Sequence, residues 1–144
     1  MNFQSILAVA ASQGGGAIAP VSNEMNFDPT FNVADAAGRT LNGWSIPGDG
    51  TAVCSTSDGT LIIPASLAGK TIVAGNYDYV ITITNPNGSI YSFEAGGTVV
   101  LSVVSSGTFT GTIVIGSPSN NNLNIVNSEN DDCIVNKYSL KGPK

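Results

Sequence analysis

The amino-acid sequence predicts an all-β domain, a jelly-roll or β-sandwich of about nine strands, and three observations carry that prediction. Charged residues make up only 10% of the 144-residue chain and hydrophobic residues 42%, so the polar surface must be Ser, Thr, Asn and Gly. Those residues suit turns and strand faces. They disfavour helix interiors, where Ser and Asn compete for backbone hydrogen bonds and Gly costs about 1 kcal/mol. Apolar and polar residues alternate with period two along the longer segments, and turn dipeptides divide those segments at the spacing of a sandwich. A chain of this length fits one domain and buries roughly two-thirds of its unfolded surface.

Taken in order, the chain opens with an N-terminal arm, residues 1–28, ahead of a body, residues 29–144. In the arm, Phe3, Ile6, Leu7 and Ala10 fall on the stripe of a short amphipathic helix, which Gly14-Gly15-Gly16 ends. About ten residues of helix are marginal alone in water. The stripe therefore needs a cover, either the chain's own body or a neighbouring subunit. Ala17 to Asp28 reads as an extended linker.

From Phe31 the pattern changes to strands. Gly48-Asp49-Gly50, Asp58-Gly59, Asn87-Gly88 and Gly96-Gly97 supply residues that tolerate positive φ in tight turns. Between such turns lie Thr51 to Ser55, Thr60 to Ile63, Lys70 to Ala74, Tyr77 to Thr84, Ser89 to Glu94, Thr98 to Val104, Thr108 to Ile115, Asn122 to Asn127 and Cys133 to Leu140. Tyr77, Tyr79, Ile81 and Ile83 share one face, as do Phe109, Ile113 and Ile115, and these faces should be core. Thr98 to Val104 is apolar on both faces, which predicts a central strand or one covered by a partner.

Several functions are excluded by inventory. A net charge of -5, with five Lys and Arg spread along the chain, leaves no basic stripe for phosphates, so nucleic acid is not an expected partner. No apolar run approaches the roughly 20 residues that cross a bilayer. Ile6 to Ala11 is apolar, yet no Lys or Arg precedes it and the first basic residue is Arg39, unlike a secretory signal. There is no His, which removes Ser-His-Asp and Cys-His catalysis and His-ligated zinc. The acids are isolated or lie in turns; Asp131-Asp132 sits in an Asn-rich loop as a solvated pair. Neither catalysis, a cofactor nor a metal is expected. Cys54 and Cys133 read as two small buried residues or as one bridge from an early strand to the last.

Four stretches carry a family resemblance. Asn42-Gly43-Trp44-Ser45-Ile46 resembles the Gly-Trp-Ser/Thr of carbohydrate-binding-module-like jelly rolls found in bacteriophage virion proteins and bacterial glycanases. Phe27-Asp28-Pro29-Thr30-Phe31 is similar to their leading strand, and Gly59-Thr60-Leu61 to their Gly-x-Leu. Ile134-Val135-Asn136-Lys137-Tyr138-Ser139-Leu140-Lys141 resembles their closing strand, with Asn136 where some members carry a calcium-holding Asp. The first residues also resemble those of some small phage virion proteins.

The resemblance implies a non-enzymatic virion structural protein, a capsid decoration or cement subunit or a fibre-associated one, localised to the particle after assembly in the host cytoplasm. Its expected partners are other virion proteins and further copies of itself, for instance in a trimer, with Phe3, Ile6, Leu7 and Ala10 as the docking arm. The alternative is a carbohydrate-binding module or adhesin that recognises surface glycans. Sugar rings stack on aromatics and hydrogen-bond to amides and carboxylates, which makes Trp44, Tyr91, Phe93 and Tyr138 candidate ligand contacts as well as candidate core. The Asn120-Asn121-Asn122 loop offers amides or is a polar turn.

Overall fold

The computed structural model describes residues 23–34, 38–56, 58–85, 88–129 and 132–144. Phe3, Ile6, Leu7 and Ala10, with the rest of the predicted arm helix, lie outside the described residues. The body is two antiparallel five-stranded sheets packed face to face. The strands are β1 (Thr40–Asn42), β2 (Trp44–Ser45), β3 (Ala52–Cys54), β4 (Thr60–Pro64), β5 (Gly75–Thr84), β6 (Tyr91–Ala95), β7 (Thr98–Val103), β8 (Gly107–Ile115), β9 (Asn122–Asn127) and β10 (Cys133–Lys141). One sheet runs β1-β4-β9-β6-β7 and the other β2-β3-β10-β5-β8. The chain crosses repeatedly from one sheet to the other, and the last strand, β10, returns to the inside of its sheet between β3 and β5, which is the jelly-roll arrangement.

Period-two alternation places the core. Leu61, Ile63, Leu123, Ile125, Tyr91, Phe93 and Ala95 point inward from one sheet, and Cys54, Tyr77, Ile81, Ile83, Val135, Tyr138 and Leu140 from the other; all are buried. Trp44 meets Tyr91 edge-on at 6.4 Å between ring centroids, and Phe93 meets Tyr138 at 5.2 Å. Both pairs link the two sheets. Edge-to-face rings at these separations add about 0.5–1.5 kcal/mol each beyond the area they bury.

Three strand expectations are corrected. Lys70 to Ala74 is not a strand: Ile72 N donates to the Asn121 side chain, and Val73 bonds through both backbone groups to the Tyr77 hydroxyl, so side chains take the place of a ladder. β1 and β2 are additional strands, too short to show alternation, on either side of Gly43 at φ 74°. Thr98 to Val104 is neither central nor two-faced. Its strand lies at a sheet edge, and a β-bulge shifts the register between Phe93 and Glu94 so that Val100 and Val103 both turn inward while Val99 faces solvent.

Residues 23–28, assigned from sequence to the arm, are laid onto the body. Where β3 ends, they take its place beside β10: Met25 N donates to Leu140 O at 2.7 Å, Gly142 N to Asn23 O at 3.0 Å and Tyr138 N to Pro29 O at 2.9 Å. Met25 is buried. This added edge positions the site described next.

Candidate functional site

The four aromatic residues proposed as ligand contacts are brought together, but inside the protein. Tyr91, Phe93 and Tyr138 are fully buried and Trp44 is 6% exposed, so none presents a ring face to a sugar. Their place is the core, because each sits on the inward phase of its strand. The Tyr138 hydroxyl donates to Glu94 O at 2.6 Å, and burial holds its phenol well above the ordinary tyrosine range.

An open cleft of about 590 Å³ lies instead where residues 24–29 run along the end of β10, lined by Glu24, Asn26, Phe27, Pro29, Ala68, Lys70 and Lys141. Each wall is held from behind. Asn26 donates through its side chain to Tyr138 O at 2.8 Å and accepts from Asp28 N at 3.1 Å, which fixes the segment against β10. The Glu24 carboxylate accepts from Asn26 N, Leu140 N and the Ser139 hydroxyl. Those donors hold it in place and disperse its charge.

Phe27 is the aromatic of the cleft. The guanidinium of Arg39 lies 4.8 Å from its ring centroid and 6.0 Å from that of Phe31. Arg39 is itself buried and does not line the cleft, so it backs Phe27 from the protein side. It is anchored in turn by Asp28, whose carboxylate accepts from Arg39 Nη2 at 2.5 Å and from the backbone of Asn32 and Val33 at 2.9 Å each. The Phe-Asp-Pro-Thr-Phe stretch that carries the resemblance is therefore a structural knot behind the cleft.

Lys70 comes from the opposite side. A 3₁₀ turn over Ala65–Ala68 ends at Gly69 in the left-handed region at φ 69°, and Lys70 N then donates back to Ala65 O at 3.1 Å. Asn121 clamps the next step: its side chain donates to Lys70 O at 3.1 Å and accepts from Ile72 N at 2.7 Å. Of the predicted Asn120-Asn121-Asn122 loop, Asn121 thus acts on the backbone that presents Lys70. Lys141 projects from the last position of β10, opposite Asp78 of β5.

Chemically the cleft can stack, donate hydrogen bonds and attract negative charge. Two ammonium groups face one carboxylate there, in a chain whose net charge is -5. Among the described residues the ion pairs are Arg39–Asp28 and Lys144–Asp78, so neither cleft lysine is engaged in one. Among the described residues its lining holds one carboxylate, that of Glu24. Among the described residues, no three of His, Cys, Asp and Glu cluster as metal ligands. Sequence reasoning missed this site because its members are scattered over more than 100 residues; the one legible signal was Phe27 beside the motif acid Asp28.

The jelly-roll architecture is shared with carbohydrate-binding modules of solved structure. No known family model matches the chain, and no curated protein is similar to it in sequence. Among solved structures it is similar to the mannan binding module of Man5C, at a TM-score of 0.53 and 15% identity over 74% of this chain and 93% of that one. It is similar to TmCBM61, a structure in complex with β-1,4-galactotriose, at 0.53 and 12% over 83% and 98%. A cleaved adhesin domain of Lys-gingipain from Porphyromonas gingivalis W83 matches at 0.51 and 12% over 80% and 96%. Likeness at these identities is likeness of fold.

Proposed function

We propose that the chain is a non-catalytic glycan-binding module, of carbohydrate-binding-module or adhesin type, that takes a saccharide bearing negative charge in the cleft between residues 24–29, Lys70 and Lys141. The observation that carries this reading is the convergence of an aromatic ring, a proline ring and two lysines, neither ion-paired among the described residues, at one open cleft. The rings of Phe27 and Pro29 offer apolar surface to the C–H face of a sugar, and the lysines offer donors to a carboxylate or sulfate. The fold shared with binding modules supports a saccharide as ligand.

Affinity electrophoresis of the whole chain through neutral and carboxylated polysaccharides tests it. Retention by the charged polymer should weaken with added salt and drop about tenfold in Lys70→Gln or Lys141→Gln, the worth of one charge-assisted hydrogen bond. Retention untouched by both substitutions would overturn this site.

A second reading, a structural subunit of a larger assembly such as a virion, is favoured by β8. This strand is nine residues long, ends its sheet, and contains neither charge nor proline, the devices that blunt exposed edges. Antiparallel pairing of two copies about Gly111 sets Phe109 opposite Ile113 and Thr110 opposite Thr112. Thr110 is exposed, and Thr110→Lys should abolish any concentration-dependent association seen by sedimentation velocity while leaving the fold intact. A wild-type chain that stays monomeric at high concentration refutes pairing through β8. The virion setting itself rests on the sequence resemblance.

A further inference from the structure

The two cysteines lie far apart in sequence and adjacent in space. Cys54 ends β3 and Cys133 opens β10, and the antiparallel register sets them directly opposite each other. Both are free thiols and both are buried on the inward phase of their strands, so both side chains leave the sheet on the same face. Residues directly opposite in an antiparallel pair hold their Cβ atoms about 4.5–5.5 Å apart. A disulfide needs about 3.5–4.5 Å, a difference that a small inward movement closes. Cys54 Sγ is held only by long hydrogen-bond contacts among those described, to Thr56 O at 3.4 Å and from Asn127 Nδ2 at 3.5 Å.

We infer that Cys54 and Cys133 form a cross-strand covalent site, a dithiol that closes to a disulfide in the presence of a small-molecule disulfide oxidant such as oxidised glutathione. The step balances through a mixed disulfide. One cysteine thiolate attacks the oxidant, its S–S bond breaks, and a glutathione thiolate leaves. The second cysteine thiolate then attacks the protein-bound sulfur and expels the other glutathione. Two protein thiols are oxidised, one glutathione disulfide is reduced to two glutathione thiols, and the two protons pass to the leaving thiolates.

The consequence is mechanical. The bond would tie β3 to β10 across a loop on the order of 80 residues, and long loops lose the most unfolded-state freedom when closed. It would fasten the same β10 whose far end carries Lys141 and the 24–29 segment, so the cleft would be braced at both ends of one strand. Kinetics follow from burial, which pushes the Cys133 thiol up to about 12 and leaves little thiolate in the folded protein. The link therefore forms slowly in the native chain and readily during refolding.

The test uses the full chain. Protein refolded in glutathione redox buffer is quenched with an alkylating agent and compared by intact mass and non-reducing peptide mapping with protein refolded under reductant. Expected is the loss of two hydrogens, a single linked peptide pair containing Cys54 and Cys133, and a thermal midpoint higher by roughly 10 °C, reversed by reductant. Recovery of both cysteines alkylated, or each capped by glutathione with no linked pair, would overturn the inference. The wild-type comparison needs no variant to fold, and Cys54→Ser serves as the control that cannot link.

Discussion

Replacing Arg39 by Met isolates the knot behind the cleft. The substitution keeps an unbranched apolar stem and removes the charge, leaving the Asp28 carboxylate, 6% exposed, with its two backbone donors and no cation. Removing one partner of a buried ion pair costs about 3–5 kcal/mol, because the remaining charge stays desolvated. The two surviving donors move the cost toward the lower end of that range. Losing the cation from the faces of Phe27 and Phe31 adds about 0.5–2 kcal/mol. The expected sum of about 4 kcal/mol is a large share of a typical domain stability of about 5–15 kcal/mol. Urea unfolding at pH 7, followed by the emission of Trp44, reads it directly, since Trp44 is the single tryptophan and lies in the core. With a slope of about 2 kcal/mol/M the midpoint should fall by about 2 M. Adding Asp28→Asn to Arg39→Met should recover part of the loss by removing the stranded charge. A fall below about 0.5 M at unchanged slope would refute the view that this pair holds residues 28–33 to Arg39.

Alkaline pH should weaken the fold in a definable window. Burial raises the Cys133 thiol from 9.0 to about 12 and holds the Tyr138 phenol well above 10.0, so both keep their protons longer in the folded state. The stability they contribute is complete below pH 9.0 and is lost as pH rises from there toward 12. The urea midpoint should be flat from neutrality to that limit and decline beyond it, less steeply in Cys133→Ala; an unchanged midpoint in strong alkali contradicts the assignment. Gly43→Ala should lower the thermal midpoint by an amount equivalent to about 1–3 kcal/mol, since φ is 74° and a Cβ there would collide with the Thr56 side chain. Calorimetry showing no shift would mean that the turn between β1 and β2 relaxes freely.

The β class, the inward faces of β5 and β8 and the positions of most turns were legible in the sequence, because period-two alternation is a local property of each strand. Composition alone removed histidine-based chemistry. Sequence reasoning failed at 70–74, where backbone groups are tied down by Tyr77 and Asn121 rather than by a neighbouring strand, and at 98–103, where a bulge changes which side chains turn inward. It also left the aromatic residues undecided between core and contact. Only sheet-on-sheet packing settled that, by closing Trp44, Tyr91, Phe93 and Tyr138 into edge-to-face pairs between the layers. The cleft belongs wholly to tertiary structure. Lys70 and Lys141 have no local signature, and they converge on Phe27 because the jelly-roll path returns β10 beside residues 23–28. The same return brings Cys54 opposite Cys133, a proximity that exists only once distant strands pair.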